Sequence, residues 1–446
     1  MQQASTLTTL NHIQVVNRSA LNPANYTVWV AGFMANAQTS GDFYILQADG
    51  TFLSEVAPTT AAFIAVDTGL TVNVPNVTNS GNNRLVFAIT PAGTTPAGYP
   101  LNGYTAYPFN NAPGVCPPGP YDIFEFGPNA QYDVSAVDSF GLNLSFIVEG
   151  DTSTYGAMPW ASRTTIGTVF QSFTSSDPNG AAFTQLLYTS PSGTGYPAQI
   201  DGQFTAIIAP KDWLAIYPNA SGLSGYWTDT VNAFFANGNQ LSLFLNAATV
   251  GTYTGSSDGT QYVLTGPGKL QVTIPMSDFT GNQPFIQAVR GPNSGESPDA
   301  YAAFNQIEAA VFEAFSRGVA LDGVGPKGVP ISATYTSDAW TNTKLWFTNH
   351  RSAYNDNASL YDVYAKFFHY ATVPNVSNGT IFGANTSGSF GMAYGFSLDE
   401  NPNVGSTLLQ IPPNAWPASM NIPAKPLENI GSQTVTLTIG PWPDIA

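Results

Sequence analysis

Cysteine is almost missing from this chain: Cys116 is alone among 446 residues. No internal disulfide can form, so stability has to come from packing and hydrogen bonds. Charge is scarce as well. Charged residues make up 9% of the sequence, with 12 Lys and Arg against 28 Asp and Glu, for a formal net charge of −16. No cluster of cations offsets that balance, so nucleic acid and anionic membranes are repelled while neutral polymers are not. No apolar run approaches the ~20 residues of a membrane-spanning helix. His12, His350 and His369 lack metal-ligand spacing and read as surface or core residues. No Gly-rich phosphate loop follows a strand, and no cofactor is expected. Residues Met1 to Thr6 lack the basic and apolar parts of a secretion signal, so an exported protein is expected to have had that segment removed.

What is abundant is Gly (42), Pro (34), Phe (28) and Tyr (21). Between residues 10 and 150, short β-branched and aromatic runs alternate with Gly, Pro and Asn turns, the pattern of a sandwich or barrel. Helical periodicity comes later. One helix is expected within Ser224 to Phe235. A better one covers Asp299 to Arg317, with Ser297 as cap, Pro298 in the first turn, Gly318 as stop and a buried stripe of Phe304, Ile307, Val311 and Phe315. A third covers Leu360 to His369 after Ser359, with Phe367 and Phe368 in the core. Thr434 to Ile439 alternates and reads as a strand returning to the β region. Cys116 reads as a free thiol in a loop. Trp160, Trp213, Trp227 and Trp346 can stack on sugar rings, although a Trp more often belongs to the core.

The chemistry concentrates between Tyr121 and Phe140, where Asp122, Glu125, Asp133 and Asp138 fall within seventeen positions of a chain poor in charge. Two strands flank Gly127-Pro128-Asn129, which is turn chemistry. A tight turn centred on Pro128-Asn129 pairs Glu125 with Tyr132 and leaves Asp138 six residues further on, ~20 Å away at ~3.3 Å per residue, which forbids a shared site. A longer loop centred between Gln131 and Tyr132 places Glu125 opposite Asp138, with Cβ atoms ~5 Å apart. Two carboxyl groups within reach of one bond suit glycoside hydrolysis. Asp133 and Asp138 are five apart, which puts them on opposite faces unless a bulge re-aims one. The bland alternative is a hairpin with solvated acids.

Tyr132-Asp133-Val134-Ser135-Ala136-Val137-Asp138-Ser139-Phe140 resembles the aromatic-Asp-Ile-Ser-x-Val-Asp-Gly-Phe strand of thaumatin-like proteins. Pro117-Pro118 through Phe124-Glu125-Phe126 resembles the Pro-Pro to Glu-Phe element before it, and Tyr394 to Glu400 resembles the Tyr-Ala-Tyr-Asp-Asp element. Plant-type members are shorter and rich in disulfides. The remaining relative is glycoside hydrolase family 64, the β-1,3-glucanases. That resemblance implies a mainly β chain with an α/β part: a thaumatin-like β-sandwich or barrel domain over 1–158, with 388–446 available to complete it, and a mixed α/β domain over 159–387 across a groove. It implies an endo-type, inverting hydrolase of β-1,3-glucan, secreted and monomeric, in which Glu125 is the general acid and Asp138 the general base. Asp133, Asp399 and Glu400 then contact sugar or tune that pair. The acid-to-base spacing of 13 is shorter than the family's, Glu400 replaces a usual Asp, and Arg84 is the nearest counterpart of the plant-type Arg. The alternative is a non-catalytic β-1,3-glucan-binding protein; an adhesive or structural β-sandwich is a further rival.

Overall fold

The computed structural model describes residues 7–78, 83–104, 115–127, 131–151, 155–156, 162–189, 204–245, 249–281, 285, 291–316, 318, 320–325, 360–370, 394–395, 427–428 and 430–442. Strict alternation builds the first sheet. In Thr9–Asn17, Ile13 and Val15 are buried between exposed His12 and Gln14, and Val72 with Val74 and Val435 with Leu437 repeat the pattern. Such period-two strands cover one face and wet the other. The order is Tyr155–Gly156, Leu144–Val148, Val435–Ile439, Thr9–Asn17, Leu70–Pro75. The alternating Thr434–Ile439 segment therefore lies in the middle of this sheet. It is parallel to the first strand, with Ile13 opposite Val435, and antiparallel to Leu144–Val148.

The second sheet reads differently because both of its faces are covered. Its main path runs Tyr394–Gly395, Gln131–Ser135, Tyr121–Glu125, Arg84–Pro91, Tyr26–Ala35, Phe43–Leu46, Phe52–Glu55. Val28, Val30, Leu85, Phe87, Phe124 and Val134 share a core with Ile13, Val15, Val72 and Leu437 of the first sheet. The opposite face, with Ala31, Phe33, Val86 and Ile123, packs against Tyr99, Tyr188, Ala206 and Ile208. Burial on both faces explains why Tyr26–Ala35 and Arg84–Pro91 are nearly continuous apolar runs.

Helices cover the later sheets. The long one spans Pro298–Ser316. Ser297 Oγ accepts from the Ala300 N–H at 3.1 Å, Gly318 turns away at φ 76°, and Phe304, Ile307, Val311 and Phe315 are fully buried. The helix expected within Ser224–Phe235 is shorter, Thr228–Phe234, after a run of turns. The third spans Val363–Tyr370, capped by Asp362, whose carboxylate accepts from the N–H groups of Tyr364 and Ala365. Phe367 and Phe368 are core, as their apolar pattern implied. Sequence reasoning missed Arg163–Ser176, where Ser162 caps by accepting from Thr165 N–H, because Thr-rich composition argues against a helix.

One of the four clustered acids is part of this framework. Asp122 is buried and accepts from the N–H groups of Ile123, Gly141 and Leu142 at 3.0, 3.3 and 3.3 Å. Burial pushes its carboxyl well up, while the three amides pull the other way. The arrangement needs glycine at 141, since a Cβ there would sit 2.2 Å from the Tyr121 carbonyl oxygen. Asp122→Ala strands three buried amides and is expected to cost about 3–5 kcal/mol in urea unfolding. A loss below about 1 kcal/mol would contradict this structural role.

Candidate active site

Three cross-strand neighbours form one row on the sheet face that does not meet the first sheet. Arg84 lies opposite Glu125, and Glu125 lies opposite Asp133. Neither register considered from the sequence holds: Glu125 faces Asp133, where the tight turn gave Tyr132 and the longer loop gave Asp138. Arg84 Nε donates to Glu125 Oε1 at 3.0 Å. Tyr99 lies within electrostatic reach of Arg84 from a neighbouring segment.

Asp138 is off this ladder. Pairing of Gln131–Ser135 with Tyr121–Glu125 ends at Ser135, the chain bends at Val137–Asp138, and Ser139–Phe140 joins a different sheet opposite Ile207 and Ile208. The estimate of ~20 Å assumed a straight strand, and the bend removes that assumption. Glu125 is in contact with Arg84, and Asp138 lies within electrostatic reach of the same cation. Both are open to solvent, with side chains 36% and 38% exposed. Asp133 is the opposite case, only 7% exposed, with no partner for its Oδ1. Burial and the adjacent Glu125 push the Asp133 carboxyl well above the usual carboxylate range, against the pull of Arg84.

A second cation serves Asp138. Lys211 Nζ donates to Asp138 Oδ1 at 2.7 Å and to Asp212 Oδ2 at 2.8 Å. The Ala209 N–H donates to the Asp138 carbonyl at 2.9 Å, just before the short helix Pro210–Ile216 that carries both side chains. Sequence reasoning missed Lys211, Asp212 and Tyr99. Rarity was the available signal for Lys211: with 12 cations in 446 residues, each one deserved a search for its acid.

Asp399 and Glu400 lie outside the described residues, as do Trp160, Trp346 and His350. The start of their motif is described: Tyr394 and Gly395 run parallel to Gln131–Ser135, opposite Val134 and Ser135. Trp227 is core, Trp213 is half-buried with its indole N–H on Gln185, and Cys116 is buried. His12 contacts the Asn73 side chain at 3.0 Å. Among the described residues, no three His, Cys, Asp or Glu side chains converge as metal ligands.

A protein-family model for β-1,3-glucanases, glycoside hydrolase family 64, matches residues 9–376. The chain belongs to that family. It is accordingly a glycoside hydrolase of the β-1,3-glucanase class. Solved structures agree on the fold. A β-1,3-glucanase domain from Clostridium beijerinckii superposes with a TM-score of 0.53 at 15% identity, covering 98% of this chain and 100% of that one. A laminaripentaose-producing β-1,3-glucanase in complex with laminaritetraose gives a TM-score of 0.59 at 15% identity, covering 98% and 99%. No curated protein sequence matches the chain.

The buried Asp133 yields a stability prediction with a definite sign. Its carboxyl titrates near 3.9 unfolded and well above that folded. A raised folded pKa contributes stability that is full below the unfolded value and is lost as pH rises through the folded one. Each unit of upward shift costs the folded state about 1.4 kcal/mol at neutral pH. Asp133→Asn is therefore expected to melt above the wild type at pH 7, with the gap closing towards pH 4. A variant less stable than wild type at pH 7, with no pH dependence in the gap, would contradict the buried-acid assignment.

Proposed function

We propose that the protein cleaves β-1,3-glucan within the chain by single displacement, with Glu125 as general acid and Asp138 as general base. The observation that carries this reading is that Glu125 and Asp138 are the two part-exposed acids of the cluster, each held by a cation, while the other two are buried. Glu125 protonates the leaving glycosidic oxygen. Asp138 takes a proton from a water that attacks the anomeric carbon from the opposite face, so configuration inverts. Such a water needs carboxyl groups about 6.5–9.5 Å apart.

An acid bound to an arginine needs a source for its proton, and the cross-strand row supplies one. Arg84 balances one negative charge, and the two carboxyls beside it are neighbours, one of them buried. Burial keeps a proton on Asp133, beside the acid it serves. Burial supports a tuning role for Asp133 over direct sugar contact. Asp399 and Glu400 keep the substrate-side role the resemblance implies.

A net charge of −16 is compatible with a neutral polysaccharide. A substrate polymer too large to cross a membrane supports the reading of a secreted enzyme, which we take to act as a monomer. The solved relative produces laminaripentaose, and release of such oligosaccharides fits internal cleavage here. Incubation with laminarin and curdlan, followed by reducing-sugar assay and chromatography, is the test. Laminari-oligosaccharides are expected. Glucose alone would refute internal cleavage, and no release with retained co-sedimentation on curdlan would make the protein a binder.

A further inference from the structure

We propose that Lys211 and Asp212 are positioning residues for Asp138, with Lys211 aiming the base and Asp212 competing for the same ammonium. This rests on the reading of Asp138 as the base. The base is tied twice to one element. Its carbonyl accepts from Ala209, and its carboxylate accepts from Lys211 two residues later, in the first turn of Pro210–Ile216. Main chain and side chain are thereby held by one rigid turn, which suits a group that must hold a water in line.

The charges decide what that turn does. Burial opposes the Lys211 charge, but Asp138 and Asp212 together outweigh it and hold its pKa above the ordinary value. One ammonium therefore faces two carboxyls. Burial pushes the Asp212 carboxyl up to about 7, against Lys211 and helped by the charge of Asp138. Other groups within electrostatic reach of Asp138 are Arg84, Tyr99, the buried Asp122 and Tyr364. Arg84 stays charged, and burial raises both tyrosines above their ordinary range. Glu125 bonds to Arg84, the cation within that same reach.

Two regimes follow. Below about pH 7 Asp212 is neutral, and the Lys211 ammonium serves Asp138 without a competing charge. Above it Asp212 ionises and draws on Lys211, so the hold on Asp138 loosens. The profile of kcat against pH is then expected to show a step near pH 7 set by Asp212.

The test measures kcat and KM on laminarihexaose from pH 4 to 9 for wild type, Lys211→Met, Lys211→Arg, Asp212→Asn and Asp138→Asn. In Lys211→Met the step near pH 7 should vanish, since Asp212 acts on the base through the ammonium. At pH 5 kcat should fall at least about tenfold, with KM within about threefold, and Lys211→Arg should restore both the rate and the step. Asp212→Asn, nearly isosteric, should abolish the step near pH 7. A wild-type profile shape in Lys211→Met, whatever its activity, would overturn the proposal, as would a step near pH 7 that survives in Asp212→Asn. Asp138→Asn separates the two readings: near-wild-type activity there sinks the assignment of the base itself, whereas inactivity there leaves only the proposal at stake.

Discussion

Glu125→Gln is expected to lose hydrolysis by about 10²–10⁴-fold in kcat while binding laminarihexaose with little change. Gln keeps the shape of the side chain, and its Oε1 can still accept from Arg84 Nε, so the bond seen at 3.0 Å has a successor. The amide has no acidic proton for the leaving oxygen. Loss of activity without loss of binding is what distinguishes a missing proton from a collapsed site, and calorimetric titration alongside kinetics reads both. Activity within about tenfold of wild type would remove Glu125 from the acid role and shift attention to the buried member of the pair, Asp133.

Asp138→Asn is expected to be nearly as inactive, for a different reason: the attacking water loses the group that takes its proton. Azide needs no base. In this variant added azide is expected to restore turnover by attacking the anomeric carbon as the glycosidic C–O bond breaks, forming a C–N bond on the α face. The product is an α-glycosyl azide, identifiable by NMR. The same addition to Glu125→Gln should give no comparable rescue, since the poor leaving group remains unprotonated. A β-configured azide from Asp138→Asn would indicate two displacements instead of one.

Different parts of this structure were legible to different degrees, and the reasons are physical. Period-two alternation revealed the returning strand Val435–Ile439, because the first sheet buries one face. Cap and stop residues located the helix Pro298–Ser316 almost to its ends. The site was harder to read. Spacing along a strand assumes a straight strand, and the bend at Val137–Asp138 broke the geometry on which both registers were judged. The row of Arg84, Glu125 and Asp133 joins residues 41 and 8 positions apart through pairing that one sequence does not specify. Lys211 lies 73 positions from Asp138 on a seven-residue helix without long periodicity, so nothing local announced it.

The measurement that bears most directly on the mechanism is the anomeric configuration of freshly released sugar. Proton NMR spectra recorded during digestion of a laminari-oligosaccharide, before mutarotation, resolve the α and β reducing ends. A single displacement between Glu125 and Asp138 predicts that the α anomer accumulates first and relaxes to the equilibrium mixture. A β anomer appearing first would show retention, and the one-water, two-carboxylate account of this site would be wrong even if both residues proved essential.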